Sequence, residues 1–191
     1  MATMRKNNKP VLLIVDVQVG VMRDAYDGVR IIGKMARAVE RARAQRVPVI
    51  WVQHTSTDLV HGSPAWQWVP ELVPAPDEAL IHKQFNSSFE ETTLEEKLAS
   101  LGATHIVLAG AASNWCIRAT AYGALDRGYD LTLLQDAHTT ATMELDDGLI
   151  IEATNIIHEL NAAMTWLRYP GRRNGIATAE AVDFASPGGV R

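Results

Sequence analysis

A strand, a turn and the start of a helix follow one another in the segment His105-Ile-Val-Leu-Ala-Gly-Ala-Ala-Ser-Asn-Trp-Cys116. The run 105–109 is short and almost wholly apolar, which is typical of a strand buried on both faces of a parallel sheet. Small residues fill the turn 110–114, and a helix is predicted from about Trp115 to Arg127, where Gly128 ends it. Such a unit is the building block of an α/β fold.

The same alternation of apolar runs and helical periodicity continues on both sides of this unit. Further strands are predicted at 11–15, 47–53, 79–82, 130–134 and 175–178, and helices at 27–46, 93–102 and 144–167. The helix at 93 is predicted to open with a capping box, Thr93-Leu-Glu-Glu96. This order predicts one α/β domain over residues 1–191, a three-layer α/β/α fold with a mostly parallel, six-stranded, Rossmann-like sheet. Residues 1–9 and 185–191 are predicted to be flexible tails.

The composition is that of an ordinary globular protein. The 191 residues are 47% hydrophobic and 21% charged, and the net charge is -4. A chain of this size buries roughly 70% of its unfolded surface, so it needs no disulfide or metal to hold its core. The acidic balance argues against nucleic acid or an anionic membrane as a partner, because both require a basic face.

The chain contains one cysteine, Cys116, which cannot form an internal disulfide and therefore suits a reducing compartment. The apolar run at 11–15 is too short for the core of a signal peptide. No stretch reaches the roughly 18 apolar residues that cross a membrane. We therefore expect a cytoplasmic protein.

Three reactive side chains follow strands of the predicted sheet. Asp16 follows the first strand, Lys83 follows the third, and Cys116 follows the fourth across the small-residue turn. Each alone has an ordinary structural explanation, since an Asp often forms a turn, a Lys is usually solvated and a Cys is often a small core residue. Parallel strands, however, bring their carboxyl ends to one edge, where α/β proteins bind ligands. We expect the three side chains to meet there.

The three residue types together suit acyl transfer from an amide. A cysteine in the first turn of a helix lies at the positive end of the helix dipole, which favours the thiolate, as does a lysine ammonium. A carboxylate can take the thiol proton and later pass it to the leaving amine. Backbone N–H groups in the preceding turn can stabilise the oxyanion, an effect worth roughly 3–4 kcal/mol per donor.

Several motifs resemble the isochorismatase-like cysteine hydrolases, a family that includes nicotinamidases and N-carbamoylsarcosine amidases. The resemblance extends from about Pro10 to Val182. It rests on Val15-Asp-Val-Gln18, on Lys83 followed by Phe85-Asn-Ser-Ser-Phe89, and on Gly110-Ala-Ala-Ser-Asn-Trp-Cys116 followed by Ala119-Thr-Ala121. The resemblance implies the isochorismatase-like fold and a homo-oligomer, a dimer or larger.

The resemblance also implies catalytic roles. Asp16 would be the general base, Lys83 the electrostatic partner, and Cys116 the nucleophile that forms a thioester. The family places a cis peptide before its cysteine, which by position falls between Ala111 and Ala112. The backbone N–H groups of Ala112 and Cys116 would then form the oxyanion hole.

The sequence favours no metal and no cofactor. The nicotinamidase branch of the family binds a metal through an Asp-x-His pair and a further His after the second strand. This chain has Gln53-His54 and then Asp58 and His61, which do not reproduce that spacing. No G-x-G-x-x-G motif follows any predicted strand, so a dinucleotide cofactor is not supported either.

Aromatic residues are concentrated around the proposed site. Residues 54–79 form a long proline-rich loop, and loops of this length inside a compact domain are usually functional. A substrate pocket is predicted from His54, Trp66, Trp68, Phe85 and Trp115. The alternatives are that Trp66 and Trp68 pack within their own loop or against another subunit.

These observations predict a cysteine-dependent amidohydrolase that cleaves an amide, carbamoyl or lactam C–N bond of a small molecule. Two alternatives remain open at this point. One is vinyl-ether hydrolysis of the isochorismatase type, in which Asp16 and Lys83 act and Cys116 is idle. The other is a non-catalytic binding protein on the same fold. The sequence does not identify the acyl group.

Overall fold

The computed structural model describes Arg5 and residues 7–185. In chain order the strands are β1 (Pro10–Val15), β2 (Val49–His54), β3 (Ala79–Lys83), β4 (His105–Ala111), β5 (Asp130–Thr139), β6 (Met143–Glu144), β7 (Ile150–Ile151) and β8 (Asn174–Ala177). The α-helices are α1 (Val19–Met22), α2 (Gly28–Ala44), α3 (Leu94–Ser100), α4 (Arg118–Asp126) and α5 (Ala153–Trp166). A 3-10 turn covers Pro64–Trp66, and a π-helical turn covers Ser113–Ile117.

Six strands form one sheet in the order β3-β2-β1-β4-β5-β8, and every neighbouring pair is parallel. The predicted six-stranded α/β sheet is therefore confirmed. Strands β6 and β7 form a separate antiparallel hairpin. Because all six strands run the same way, the residues that follow β1, β3 and β4 come to one edge of the sheet.

Helices cover both faces of the sheet and give the predicted three layers. On one face, α3, α4 and α5 contribute residues such as Leu98, Leu125 and Leu160 to a buried cluster. On the other face, α2 packs Met35 and Val39 against the opposite side chains of the strands. Since both faces are buried, β1 is wholly apolar, and β4 is apolar after His105, instead of alternating with polar residues.

The segment 144–152 was predicted as helix, and this prediction is wrong. The hairpin of β6 and β7 occupies it, and α5 begins only at Ala153. The turn residues determine this outcome: Gly148 has φ +81, its N–H donates to Leu145 O at 2.8 Å, and the Asp147 carboxylate accepts from Leu149 N–H. Asp and Gly favour such turns over a helix, despite the apolar residues around them.

The predicted capping box at the start of α3 is also wrong. Thr93 is the N-cap residue, but its side chain makes no capping hydrogen bond, and its φ and ψ of -87 and 12 are not those of an extended N-cap. The hydroxyl of Thr92 accepts from Leu94 N–H at 3.2 Å instead. The cap is thus displaced by one residue.

Strand β5 extends beyond its predicted end at residue 134 and carries an irregularity in its pairing with β4. Leu108 pairs with Leu133, but Gly110 pairs with His138, so residues 134–137 lie opposite Ala109 alone. This bulge brings His138 next to the end of β4, where the turn toward Cys116 begins.

The predicted tails are described only in part, since residues 1–4, 6 and 186–191 lie outside the described residues. Within the described part, Lys9 N–H donates to Thr104 Oγ1 at 2.9 Å, and the Thr104 hydroxyl donates to Asn7 O at 2.9 Å. These bonds join the segment before β1 to the residue before β4. Among the helices of Arg5 and residues 7–185, none has the length and apolar character needed to span a membrane.

Candidate active site

The sheet brings together the three reactive side chains that the sequence predicts. Asp16 directly follows β1, Lys83 is the last residue of β3, and Cys116 lies in the π-helical turn after β4. Strand β2 lies between β1 and β3, so the long Lys83 side chain extends past β2 to reach the others. All three residues are buried, with exposed fractions of 1% for Asp16, 2% for Lys83 and 8% for Cys116.

Lys83 is the centre of this cluster. Its Nζ lies 2.7 Å from Asp16 Oδ2 and 3.1 Å from Cys116 Sγ. The same ammonium donates to Phe85 O at 3.1 Å and lies 3.2 Å from His54 Nδ1. An ammonium is donor only, so His54 presents an unprotonated Nδ1 to it. Lys83 thus contacts both predicted reaction partners at once.

Burial and charge determine the protonation of this cluster. Burial raises the pKa of the Asp16 carboxyl, while the Lys83 ammonium acts in the opposite direction. Burial, together with the negative charge of Asp16, raises the pKa of the Cys116 thiol to about 12. The expectation that the helix start favours a thiolate is therefore wrong for the resting protein, because the loss of hydration outweighs the nearby positive charges.

The same arrangement can move a proton without changing the total charge of the buried cluster. Asp16 Oδ2 and Cys116 Sγ both lie against Lys83 Nζ, at 2.7 and 3.1 Å. Transfer of the thiol proton to the carboxylate would leave a neutral acid and a thiolate beside the Lys83 ammonium. A carboxylate with a raised pKa is a stronger base than an ordinary one, which favours this transfer. The cluster can therefore activate its thiol at the moment of attack instead of storing a thiolate.

The turn before Cys116 contains a cis peptide bond between Ala111 and Ala112, at the position that the resemblance implies. Ala112 O accepts hydrogen bonds from Trp115 N–H and Ile117 N–H, each at 3.1 Å, which ties the turn to the start of the helix. This places the main chain of Ala112 and of Cys116 in one short segment.

Gly110 allows β4 to approach β1 beside Asp16. Its φ is +130, a conformation that residues with a Cβ rarely adopt, and a Cβ there would stand 2.1 Å from Val15 O. Val15 is the last residue of β1. Only glycine therefore fits at the point where the strand that carries Asp16 meets the turn that leads to Cys116.

The predicted pocket residues fall into two groups. His54 and Phe85 contact Lys83 directly, and the ring of Trp115 is half-exposed next to Cys116 in the chain. Trp66 is stacked on the ring of His82 with 5.8 Å between centroids, and its Nε1 donates to Thr55 Oγ1 at 3.0 Å.

Trp68, in contrast, packs into the hydrophobic core. Its ring lies edge-on to that of the fully buried Trp51, with 5.3 Å between centroids, and it joins the cluster on the α2 face of the sheet. Trp68 therefore attaches the loop 54–79 to the hydrophobic core.

Two cavities border residues next to the reactive cluster. A cavity of about 410 Å³ lies beside the end of β3, with Lys83 and Phe85 in its wall. An apolar cleft of about 490 Å³ lies between the π-helical turn, the β6–β7 hairpin and α5; Asn114, Met143, Ile151 and Ile156 are among its lining residues.

No group of three or more His, Cys, Asp or Glu residues in the described part of the chain is arranged to hold a metal ion. Gln53 is fully buried, and its amide donates to Trp66 O at 2.9 Å. This amide thus holds the loop, and Val52, which stands two residues before His54 where the Asp-x-His spacing would need the acidic ligand, is apolar.

Sequence reasoning assigned no role to Gln18, which organises the edge of the site. Its amide donates to His54 O at 3.0 Å and Trp66 O at 2.9 Å, and its oxygen accepts from His54 N–H at 2.9 Å. Gln18 thereby fixes both the end of β2 and the aromatic loop. Its place in the motif Val15-Asp-Val-Gln18 was the available signal.

The family model described as "Isochorismatase domain" matches residues 10–165, most of the chain. This protein belongs to the isochorismatase family. The family that the sequence resembles and the fold predicted from it are thereby confirmed. An isochorismatase from Pseudomonas putida KT2440 has a similar structure, with a TM-score of 0.81, 27% identity, and coverage of 94% of this chain and 93% of that one.

Two curated relatives carry activities in their names. A streptothricin hydrolase from Streptomyces noursei is 30% identical over 145 residues, which are 72% of this chain and 57% of that protein. A maleamate amidohydrolase from Pseudomonas putida KT2440 is 30% identical over 89 residues, 46% of this chain and 42% of that protein. The chain thus spans 57% of the length of the streptothricin hydrolase and 42% of the length of the maleamate amidohydrolase.

Proposed function

We propose that this isochorismatase-family protein is a cysteine-dependent amidohydrolase, which cleaves an amide, carbamoyl or lactam C–N bond of a small molecule. The observation that carries the proposal is the position of Lys83 Nζ, 2.7 Å from Asp16 Oδ2 and 3.1 Å from Cys116 Sγ in a site withdrawn from water. A base, a cation and a thiol in contact are the parts that acyl transfer requires. Relatives named as a streptothricin hydrolase and a maleamate amidohydrolase support it.

In the first half of the proposed cycle, Cys116 is acylated. Asp16 takes the thiol proton as Sγ bonds to the substrate carbonyl carbon, and the Lys83 ammonium stabilises the developing thiolate. The carbonyl oxygen becomes an oxyanion, which the backbone N–H groups of Ala112 and Cys116 stabilise. The C–N bond then breaks, and the proton held by Asp16 passes to the leaving nitrogen, so ammonia or an amine departs.

In the second half, water releases the acyl group. Asp16, again ionised, takes a proton from water as the water oxygen bonds to the thioester carbon. The C–S bond breaks, the acid product leaves, and the proton returns from Asp16 to the sulfur. The protein thus ends the cycle as it began, with a neutral thiol and the Asp16–Lys83 ion pair.

We propose that His54, Phe85, Trp115 and Trp66 line the substrate pocket, because the first two contact Lys83 and the others lie on the adjacent turn and loop. Trp68 is better assigned to the core, where it packs against Trp51. A homo-oligomer and a cytoplasmic location remain predictions from the sequence. Candidate substrates remain a small amide, a carbamoyl compound or a lactam.

Replacement of Cys116 tests the proposal. A panel of small amides, carbamoyl compounds and lactams is screened for release of ammonia or amine by the wild type and by Cys116→Ala. We expect kcat of the variant to fall by on the order of 10³-fold or more, because the nucleophile is gone. Its melting temperature should stay close to that of the wild type, since Ala fills most of the space of Cys.

Intact-mass spectrometry during turnover supplies the second readout. An acyl adduct on the wild type that is absent from Cys116→Ala supports the thioester. Full activity of Cys116→Ala, or cleavage of a vinyl ether by both proteins without an adduct, would instead favour the reaction in which the cysteine is idle.

A further inference from the structure

A chain of hydrogen bonds, which begins at the buried pair Ser113 and His138, lies behind the turn that precedes Cys116. Ser113 Oγ lies 2.7 Å from His138 Nδ1, and His138 Nε2 lies 3.0 Å from Asn161 Oδ1. The Asn161 amide nitrogen in turn donates to Gln135 O at 3.1 Å. Ser113 and His138 are both fully buried. The chain joins the turn, the bulge of β5 and helix α5.

The direction of each hydrogen bond follows from its neighbours. The Asn161 nitrogen is used by Gln135 O, so Asn161 offers His138 its oxygen, which only accepts. His138 Nε2 must therefore carry the hydrogen. Burial lowers the pKa of His138 to about 4, so the ring is neutral near pH 7 and Nδ1 is an acceptor. The Ser113 hydroxyl consequently donates to His138.

This assignment has a consequence for the site. Ser113 lies between Ala112 and Cys116, whose N–H groups are proposed to stabilise the oxyanion. Because its only hydroxyl hydrogen is directed to His138, Ser113 does not donate to the substrate. Its side chain instead attaches the turn to β5 through His138, and His138 is in turn bonded to Asn161 in α5.

We propose that His138 is a positioning residue for the amide hydrolysis proposed above: by holding Ser113, it keeps the N–H groups of Ala112 and Cys116 aimed at the substrate carbonyl oxygen. This inference rests on the proposed function. It assigns a role to the bulge in β5, since a strand with regular register would not place His138 opposite Gly110. His138 itself is fully buried, and its side-chain hydrogen bonds go to Ser113 and Asn161.

Substitutions at His138 separate its two hydrogen bonds. In His138→Asn the side-chain oxygen stands near the former Nδ1 and can still accept from Ser113. In His138→Gln the amide reaches toward Asn161 and leaves Ser113 without its acceptor. Ser113→Ala removes the same bond from the other side. We expect kcat to fall about 10- to 100-fold in His138→Gln and Ser113→Ala, with KM within about threefold of the wild type, because a displaced oxyanion donor affects the transition state more than binding.

In His138→Asn, which keeps an acceptor for Ser113, most of the fall in kcat seen in His138→Gln should be absent. The matched control is His105→Gln, since His105 is also fully buried, has a pKa lowered to about 4 and bonds Thr132 at 2.9 Å, but lies at the opposite end of β4. It should leave kcat within about threefold of the wild type. Rates are compared at a temperature where all variants are folded. Equal kcat in wild type and His138→Gln, or an equal loss in His105→Gln, would overturn the positioning role while leaving the proposed function intact.

Nitrogen-15 NMR of the histidine rings gives a readout that does not require turnover. His138 should be the Nε2–H tautomer and remain uncharged at pH 5, and Ser113→Ala should shift its Nδ1 resonance without changing the tautomer. A ring protonated on Nδ1 would contradict the inference whatever the substrate. If the wild type hydrolyses no amide in the panel, the proposed function fails and the positioning role fails with it, and this outcome is distinct from an active enzyme whose variants are unaffected.

Discussion

The side chains of Asp16 and Lys83 form an ion pair of 2.7 Å with almost no access to water. Each charge is tolerable there only because the other is present, since an isolated ion in this environment lacks both hydration and a counter-charge. The pair therefore contributes to the integrity of the fold as well as to the proposed chemistry.

This dependence predicts non-additive effects on stability. Lys83→Met should lower the free energy of unfolding by about 3–5 kcal/mol, because it leaves the buried Asp16 carboxylate uncompensated. Asp16→Asn should cost less, because burial raises the pKa of the Asp16 carboxyl and already disfavours its charged form. Asn is a suitable replacement because Asp16 has φ +53, a conformation that Asn also adopts readily. The double variant should be less destabilised than the sum of the single ones, as measured by urea denaturation of all four proteins. Simple additivity would show that the two charges do not depend on each other.

Strand β4 shows how a backbone detail of one element determines the site. It must run close to β1 as far as Gly110 and then turn toward Cys116, and the space beside Val15 leaves no room for a side chain. The positive φ and the close approach act on the same residue, so no shift of a flexible side chain relieves the substitution.

Gly110→Ala should therefore destabilise the protein by about 4 kcal/mol or more, or prevent folding, because a Cβ would meet backbone atoms 2.1 and 2.7 Å away. Gly33→Ala is the matched control. Gly33 lies inside α2 with nothing within 4 Å of an added Cβ, so alanine should stabilise the helix by about 0.5–1 kcal/mol. Thermal and urea unfolding measure both. A mild effect at Gly110 would mean that β4 can move away from β1.

The fold keeps two of the six histidines, His105 and His138, neutral down to about pH 4. Both are fully buried, and burial lowers the pKa of each from 6.5 to about 4. Between these values the unfolded chain binds a proton that the folded protein does not. Their contribution to stability is thus complete above about pH 6.5 and is lost progressively as the pH falls to about 4.

The free energy of unfolding should accordingly decrease from pH 6.5 to pH 4, by up to about 3 kcal/mol for each histidine. Asp16 acts in the opposite direction, since burial raises the pKa of its carboxyl and its proton uptake in acid favours the folded state. The histidine contribution is therefore measured by comparison: His105→Gln should show a smaller loss than the wild type between pH 6.5 and pH 4 in urea denaturation. Parallel curves for the two proteins would contradict the prediction for His105.

The sequence by itself determined the parallel sheet, its three-layer class and the meeting of Asp16, Lys83 and Cys116. Apolar runs of strand length and helical periodicity are local signals, and parallel strands necessarily bring their carboxyl ends together. The cis peptide at Ala111 and Ala112 was available through resemblance, because a short motif around the cysteine carries it. Local turn chemistry was equally present at Asp147 and Gly148, but the apolar residues around them suggested a helix.

Only the tertiary structure decided the pKa of the Cys116 thiol, the packing of Trp68 in the core and the hydrogen-bond partner of the Ser113 hydroxyl. The thiol has a raised pKa because distant parts of the chain remove its water, and this loss outweighs the nearby charges that sequence position suggests. Trp68 packs on Trp51, and His138 reaches Ser113 across a bulge between two strands. Each of these depends on contacts between residues far apart in the chain, which no local pattern encodes.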